Sequence, residues 1–136
     1  MSLFNILNIA GSAMTAQSEK MNIIATNLAN AESIIHKNGK YYPYIGKKVL
    51  FESYNLNEKG VAGVQVKKII HKKNPIQMVY DPDNPLSNSK GYILKSNINP
   101  ITETIENISA SRAYQANIEV LKTAKNMILK TLSIGE

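Results

Sequence analysis

The chain has 136 residues, contains no cysteine or tryptophan, and carries a formal net charge of +6. This length corresponds to one domain with a modest hydrophobic core. The absence of cysteine excludes disulfide bonds, zinc sites built on thiolates and cysteine nucleophiles.

The N-terminal segment has the periodicity of an amphipathic helix. Apolar residues recur at seven-residue intervals, at Leu7, Met14, Met21 and Leu28. A second set falls between them: Leu3, Ala10, Gln17, Ile24 and Ala31. This alternating spacing of three and four residues predicts a coiled-coil seam, which only Gln17 interrupts. Because charges are nearly absent from the segment, we expect this helix to have neighbours on more than one side.

Two asparagines, Asn27 and Asn30, lie near the end of this helix in the stretch ATNLANAES, residues 25–33. Asparagine is a mediocre helix former because its amide competes for backbone groups. One interpretation places both residues on a solvated face close to the helix end. The other buries them at a helix–helix contact, where an amide must find partners and can set the register between subunits. Small neighbours such as Ala25 would let helix backbones approach closely.

The middle of the chain predicts extended structure rather than helix. Asn38-Gly39 is typical of a turn that leads into an extended stretch at 41–44. β-Branched and aromatic residues predict short strands at 49–54, 64–70 and 91–94. Three or four such strands make a β unit too small to be stable without packing against other elements.

The C-terminal segment predicts a long helix. Thr102 is placed to cap its start, Glu103 suits the dipole of its first turns, and Gly135 marks its end. Tyr114, Leu121 and Ile128 recur at seven-residue intervals. The residues expected to interleave with them are Ile118, Ala124 or Lys125, and Leu132.

Together these patterns predict a mainly α fold with a small β insertion. The N- and C-terminal helices pair as an antiparallel coiled coil in this prediction, so that residues 1–33 and 101–136 form one helical core domain. Residues 34–100 form an extended and β-rich connector with short strands.

Positive charge is concentrated in that connector. From His36 to Lys73 there are nine lysines and two glutamates, a net charge of +7, whereas the first 35 residues sum to −1 and the last 63 to zero. An anionic partner is one explanation. The other is a solvated surface on a lysine-rich chain whose single arginine, Arg112, is the only residue suited to bidentate contacts.

Catalytic and cofactor sites find little support in the sequence. His36 and His71 lie among lysines without an acidic neighbour, and Asp81 and Asp83 flank a proline in ordinary turn chemistry. We predict no enzyme activity, metal site or cofactor. Tyrosines among the lysines could stack on bases, but no nucleic-acid-binding motif accompanies them. No segment is long enough to insert into a membrane, and we expect no cleaved signal peptide.

Three ordered blocks carry a family resemblance: IATNLANA at 24–31, VYDPDNPL at 79–86 and ISASRAYQANIEVL at 108–121. With these blocks the whole chain resembles the bacterial flagellar basal-body rod and hook axial proteins, and in particular a short member of the proximal rod. Thr26 departs from the asparagine usual in the first block.

The resemblance implies a structural subunit of the proximal rod that polymerises into the helical drive shaft and transmits torque from motor to hook. It further implies passage through the flagellar type III export apparatus into the periplasm without a cleaved signal peptide. The partners would be the chain itself, other rod proteins and the ring or adaptor proteins at the rod's base. The alternative is a coiled-coil interaction module whose basic middle segment binds an anionic surface or nucleic acid.

Periodicity and motif together predict which residues contact neighbouring subunits. These are Leu7, Met14, Met21, Ala25, Asn27, Leu28, Asn30, Tyr114, Asn117, Leu121 and Ile128.

Overall fold

A computed structural model describes residues 3–56 and 60–135 of the chain. Two long helices enclose six short strands in the sequence. The elements are α1 (Leu3–Ala29), β1 (Ile34–Lys37), β2 (Lys40–Pro43), β3 (Lys47–Asn55), β4 (Ala62–His71), β5 (Gln77–Tyr80), β6 (Tyr92–Lys95) and α2 (Pro100–Ile134). The predicted combination of terminal helices with a β insertion is therefore confirmed.

The strands form three separate antiparallel ribbons: β1 with β2, β3 with β4, and β5 with β6. Asn38 and Gly39 connect the first ribbon, and both have positive φ values, 52° and 73°. A two-residue connection of this kind matches the right-handed twist of the flanking strands. The predicted turn is thus confirmed.

The β3–β4 ribbon is the longest and covers the strands predicted at 49–54 and 64–70. The strand predicted at 91–94 is β6, but its partner β5 was not predicted, and neither was β1. The described residues contain six strands, so the expectation of three or four was too low. β5 lacks a signal because it has four residues that are mostly exposed, without the alternation of a half-buried strand.

Helix α1 packs against α2 and also against the β3–β4 ribbon, which confirms that it has neighbours on more than one side. The ribbon approaches closely at Gly63, where an added Cβ would lie 2.9 Å from Ser12 Oγ. The same hydroxyl donates to the Ile9 carbonyl and accepts from the Val64 N–H. The end of the ribbon next to its connecting segment therefore lies directly on the helix.

Helix α2 begins earlier than predicted. Asn99, not Thr102, caps it, because the Asn99 Oδ1 accepts from the N–H groups of Ile101 and Thr102. Pro100 then occupies the first helical position, where no N–H is needed. The helix ends at Ile134, before Gly135, as expected. Neither α1 nor α2, over its described length, is long and apolar enough to cross a membrane.

Candidate assembly interface and helix–ribbon junction

The predicted seam of α1 faces the rest of the chain. Ala10 and Ile24 are buried, and Leu7, Met14, Met21 and Leu28 are half-buried. The residues that follow the heptad positions are exposed instead: Asn8, Thr15, Asn22 and Ala29. The seven-residue period therefore separates the packed side of α1 from its solvent side.

Helix α2 carries a matching row, in which Tyr114, Leu121 and Ile128 are half-buried. The complete row alternates steps of four and three residues and contains no exposed member: Glu103, Asn107, Ala110, Tyr114, Asn117, Leu121, Ala124 and Ile128. Ala124 rather than Lys125 belongs to it, since Ala124 is buried and Lys125 exposed. Leu132 was predicted as an interleaved position, but it is 65% exposed.

The remaining nominated residues differ in environment. Ala25 is exposed, so it lies outside the packed side of α1 within one chain. Asn117 is half-buried, and its Nδ2 donates to the Ala113 carbonyl at 2.8 Å. Asn30 is also half-buried, and its Nδ2 donates to the Thr26 carbonyl while its Oδ1 accepts from the Ser33 hydroxyl. Asn30 thus closes the end of α1 through local bonds.

Asn27 is fully buried, with 0% exposure, and its amide makes four hydrogen bonds. The Nδ2 donates to the Lys47 carbonyl at 2.8 Å and to Glu103 Oε2 at 3.0 Å. The Oδ1 accepts from the Lys47 N–H at 2.9 Å and the Tyr44 hydroxyl at 3.3 Å. Two donors and two acceptors are all that an asparagine amide offers. The solvated-face interpretation is therefore wrong for Asn27.

Glu103 is the second buried polar group at this point, and it is 1% exposed. Besides accepting from Asn27, its carboxylate forms an ion pair with the ammonium of Lys72, which directly follows β4. The expectation that Glu103 serves as a dipole-facing acid in the first turns of α2 is incomplete, because its side chain points into the chain. Burial raises the pKa of Tyr44, and the Glu103 carboxylate adds to this, so the Tyr44 hydroxyl keeps the proton that it donates to Asn27.

A second asparagine, Asn97, holds the ribbon from the other side. Its Oδ1 accepts from the Gly46 N–H at 2.8 Å, and its Nδ2 donates to the carbonyls of Lys72 and Asn74. We call Asn27, Asn97, Glu103 and Lys72 the junction. It joins the end of α1, the start of α2 and the base of the β3–β4 ribbon.

Most of this junction has no signal in the amino-acid sequence. Asn27 was nominated, but as a contact between subunits, and that role stays a prediction because its amide is satisfied within the chain. Nothing in the local sequence pairs Glu103 with Lys72, which lies 31 residues away. Asn97 precedes the helix cap without a periodic signal of its own.

Gln17 interrupts the predicted seam, and its Oε1 is buried without a hydrogen-bond partner among the described residues. Because an unpaired buried acceptor is unfavourable, we expect Gln17→Met to raise the free energy of unfolding by about 1 kcal/mol. Urea unfolding followed by circular dichroism measures this. The exposed Gln115→Met is the control and should change stability little. A Gln17→Met chain less stable than the wild type would contradict the prediction.

The described residues contain no group of three or more His, Cys, Asp or Glu side chains placed to hold a metal. His36 is exposed and lies against the Tyr41 ring, with 4.8 Å between ring centroids. His71 is exposed as well. Of the buried polar side chains that the structure describes, Asn27, Asn97 and Glu103 belong to the junction and Ser96 lies beside it in sequence.

Comparison with known proteins places the chain in a family. Residues 7–32 match the model of the flagella basal body rod protein, and residues 89–134 match that of the flagellar basal body rod FlgEFG protein C-terminal region. The chain is 66% identical to the flagellar basal-body rod protein FlgC of Buchnera aphidicola subsp. Schizaphis graminum, over the full length of both chains. It is 46% identical to FlgC of Escherichia coli O157:H7 and 45% to FlgC of Salmonella typhimurium, again over full length. The chain belongs to the FlgC family.

The two segments matched by family models contain most of both helices of this FlgC-family chain, and with them Asn27, Asn97 and Glu103. Lys72 and the β3–β4 ribbon lie between the matched segments. The junction therefore connects the parts of the chain that the family models recognise to the part between them.

Proposed function

We propose that this chain is a structural, non-enzymatic subunit of the flagellar basal-body proximal rod, which polymerises into the helical shaft that transmits torque from motor to hook. Its membership of the FlgC family, over the full length of its relatives, carries the proposal. The packed rows along α1 and α2 support it, because helices packed along their length resist shear.

We further propose that α1 and α2 form the predicted antiparallel coiled coil. The last turns of α1 meet the first turn of α2, since Asn27 bonds Glu103. From there, seam positions face each other when their numbers sum to 131, as for Leu28 with Glu103. Large residues then oppose small ones, as in Leu7 with Ala124, Ala10 with Leu121 and Met21 with Ala110. Such alternation lets two helices approach closely.

A crosslinking experiment tests this register, since the chain has no cysteine of its own. Leu7→Cys combined with Ala124→Cys should be joined within one chain by a short thiol-reactive crosslinker, because the two positions face each other. Leu7→Cys with Ala110→Cys is the control, and it should stay unlinked because 14 residues of helix place Ala110 about 21 Å further along α2. The reaction is run on dilute protein, so that links form within one chain, and a denaturing gel separates linked from unlinked chains. Equal crosslinking of both pairs would contradict the register.

Apolar surface that one chain leaves uncovered supports assembly with further subunits. Ile101, Ile105 and Ile108 are exposed at helical spacing on α2, on the side opposite Glu103 and Ala110. At the other end, Leu132 and Ile134 are 65% and 84% exposed. In the proposed register, residues beyond 128 extend past Leu3, the first described residue of α1. Head-to-tail contacts that cover such surfaces without closing produce filaments.

The proposal includes the route and surroundings that the family resemblance implies. The subunit passes through the flagellar type III export apparatus without a cleaved signal peptide and assembles in the periplasm. It contacts copies of itself, other rod proteins and the ring or adaptor proteins at the base of the rod.

Aspartate substitutions in the seam test the function. In a flagellated host lacking its own FlgC, we expect Leu28→Asp and Leu121→Asp to reduce swimming to the level of the deletion, although the proteins are still synthesised. Burying a carboxylate at a helix–helix contact is unfavourable by several kcal/mol, because the charge loses its hydration. Asn22→Asp and Asn126→Asp add the same charge at exposed positions and should retain motility. Normal swimming with Leu28→Asp would show that the seam assignment is wrong.

A further inference from the structure

A cleft of about 330 Å³ opens beside the junction, where α1, α2 and the base of the β3–β4 ribbon meet. Its apolar lining comes from Ile23, Ile24 and Val49. Five lysines surround this lining: Lys20, Lys47, Lys48, Lys72 and Lys73. The lysines come from α1, from β3 and from the segment that follows β4, which are distant in sequence, so the cleft exists only in the folded chain.

The charge of the cleft is largely unneutralised. Lys72 is paired with the buried Glu103, but the other four lysines have no ion pair among the described residues. Glu106 is the one further acidic residue in the lining. Four unpaired cations against one carboxylate give a net charge of +3 around an apolar floor. A concave basic surface with low-dielectric walls concentrates the field that attracts anions.

Another copy of this chain is a poor source of the complementary charge. Among the described residues, only two exposed carboxylates lack an ion pair, Glu32 and Asp83. They lie in separate turns, and the chain as a whole carries +6. A molecule more acidic than this chain is therefore the better source of carboxylates for the four lysines.

The lining also distinguishes between classes of acidic partner. None of the described residues in it is aromatic, and arginine is absent as well, so it offers no platform for stacking bases. Its isoleucine and valine side chains suit an apolar group, which a phosphate backbone does not supply. We propose that the lysine-rimmed cleft docks an acidic segment of a partner protein, with an apolar side chain on the floor and carboxylates at the rim. This inference is independent of how the helices pack with other subunits.

Fluorescence anisotropy of the full chain with a short labelled peptide tests the proposal. The probe combines glutamates with two leucines one helical turn apart, and a second peptide replaces every glutamate with glutamine. Lys48→Gln/Lys73→Gln removes two exposed lysines of the cleft. Lys125→Gln/Lys130→Gln removes two exposed lysines of α2 outside the cleft and serves as the matched control. All measurements are made at low and at physiological salt.

We expect the glutamate peptide to bind and the glutamine peptide not to bind. The cleft variant should weaken binding about tenfold, and the control variant by less than about twofold, because only rim charges next to the ligand contribute strongly. Equal losses in the two variants would overturn the proposal, since binding would then follow overall charge. Absence of peptide binding would overturn it too. Single-stranded DNA that bound more tightly than the peptide, and depended on the cleft lysines, would also overturn the proposal, because the partner would then be a nucleic acid.

Discussion

Asn27→Ala should lower the free energy of unfolding by about 3 kcal/mol, because it removes an amide that makes four hydrogen bonds in the interior. The partners that remain are the Lys47 backbone, the Tyr44 hydroxyl and the Glu103 carboxylate. Each is left with fewer partners where water has little access, and unsatisfied buried groups are more costly than an average hydrogen bond is favourable. The lost hydrogen bonds weaken the contacts among all three elements that meet at the junction.

Asn30→Ala is the matched control for this effect. Asn30 belongs to the same motif, but its side chain bonds only to Thr26 and Ser33 in its own turn. We therefore expect Asn30→Ala to lower the free energy of unfolding by less than about 1 kcal/mol. Urea unfolding of both variants, followed by circular dichroism, gives the two free energies. Similar losses in the two variants would contradict the assignment of Asn27 to the junction.

Lys72→Met should lower the free energy of unfolding by about 4 kcal/mol, because it leaves the Glu103 carboxylate buried without its counter-charge. The Lys72 side chain is 13% exposed and that of Glu103 1%, so water cannot replace the lost ammonium. Glu103→Gln keeps an oxygen that can accept from Asn27 and should be milder. The double variant Lys72→Met/Glu103→Gln should be more stable than Lys72→Met alone, since no charge is then buried.

An exposed ion pair in the same ribbon provides the control. Lys67 lies 2.9 Å from the Glu52 carboxylate, and its hydrogen bond, together with that of Gln65, lowers the pKa of Glu52. Solvent screens this pair, so Lys67→Met should change the unfolding midpoint little. If the double variant at the junction were as unstable as the sum of its single variants, Lys72 and Glu103 would not be coupled.

The junction links the two helices to the β3–β4 ribbon through buried bonds at the ribbon's base, from Asn27 and Asn97 to residues 46, 47, 72 and 74. We propose that torque applied to the packed helices reaches the ribbon through these bonds. A ribbon of two strands is only marginally stable by itself. Its attachment to α1 and α2 therefore depends on the same groups whose removal is predicted to be most damaging.

The two helices, the turn at Asn38-Gly39 and the family were all predicted from the amino-acid sequence alone. The turn requires positive φ at two residues, and seven-residue periodicity runs from Leu7 to Leu28 in α1 and from Tyr114 to Ile128 in α2. Both are local properties, so neighbouring residues suffice to predict them. The heptad pattern also separated the packed side of α1 from its exposed side, with Gln17 as the one polar position of the seam.

The burial of particular polar residues and the identity of their hydrogen-bond partners follow instead from the folded arrangement. Asn27 and Asn30 look alike in sequence, yet one joins three elements and the other closes a turn. The partners of Asn27, Asn97 and Glu103 lie between 17 and 76 residues away in the chain. Sequence periodicity does not identify the hydrogen-bond partner of a polar side chain. The free energy of a buried hydrogen bond depends on where distant backbone groups lie after folding.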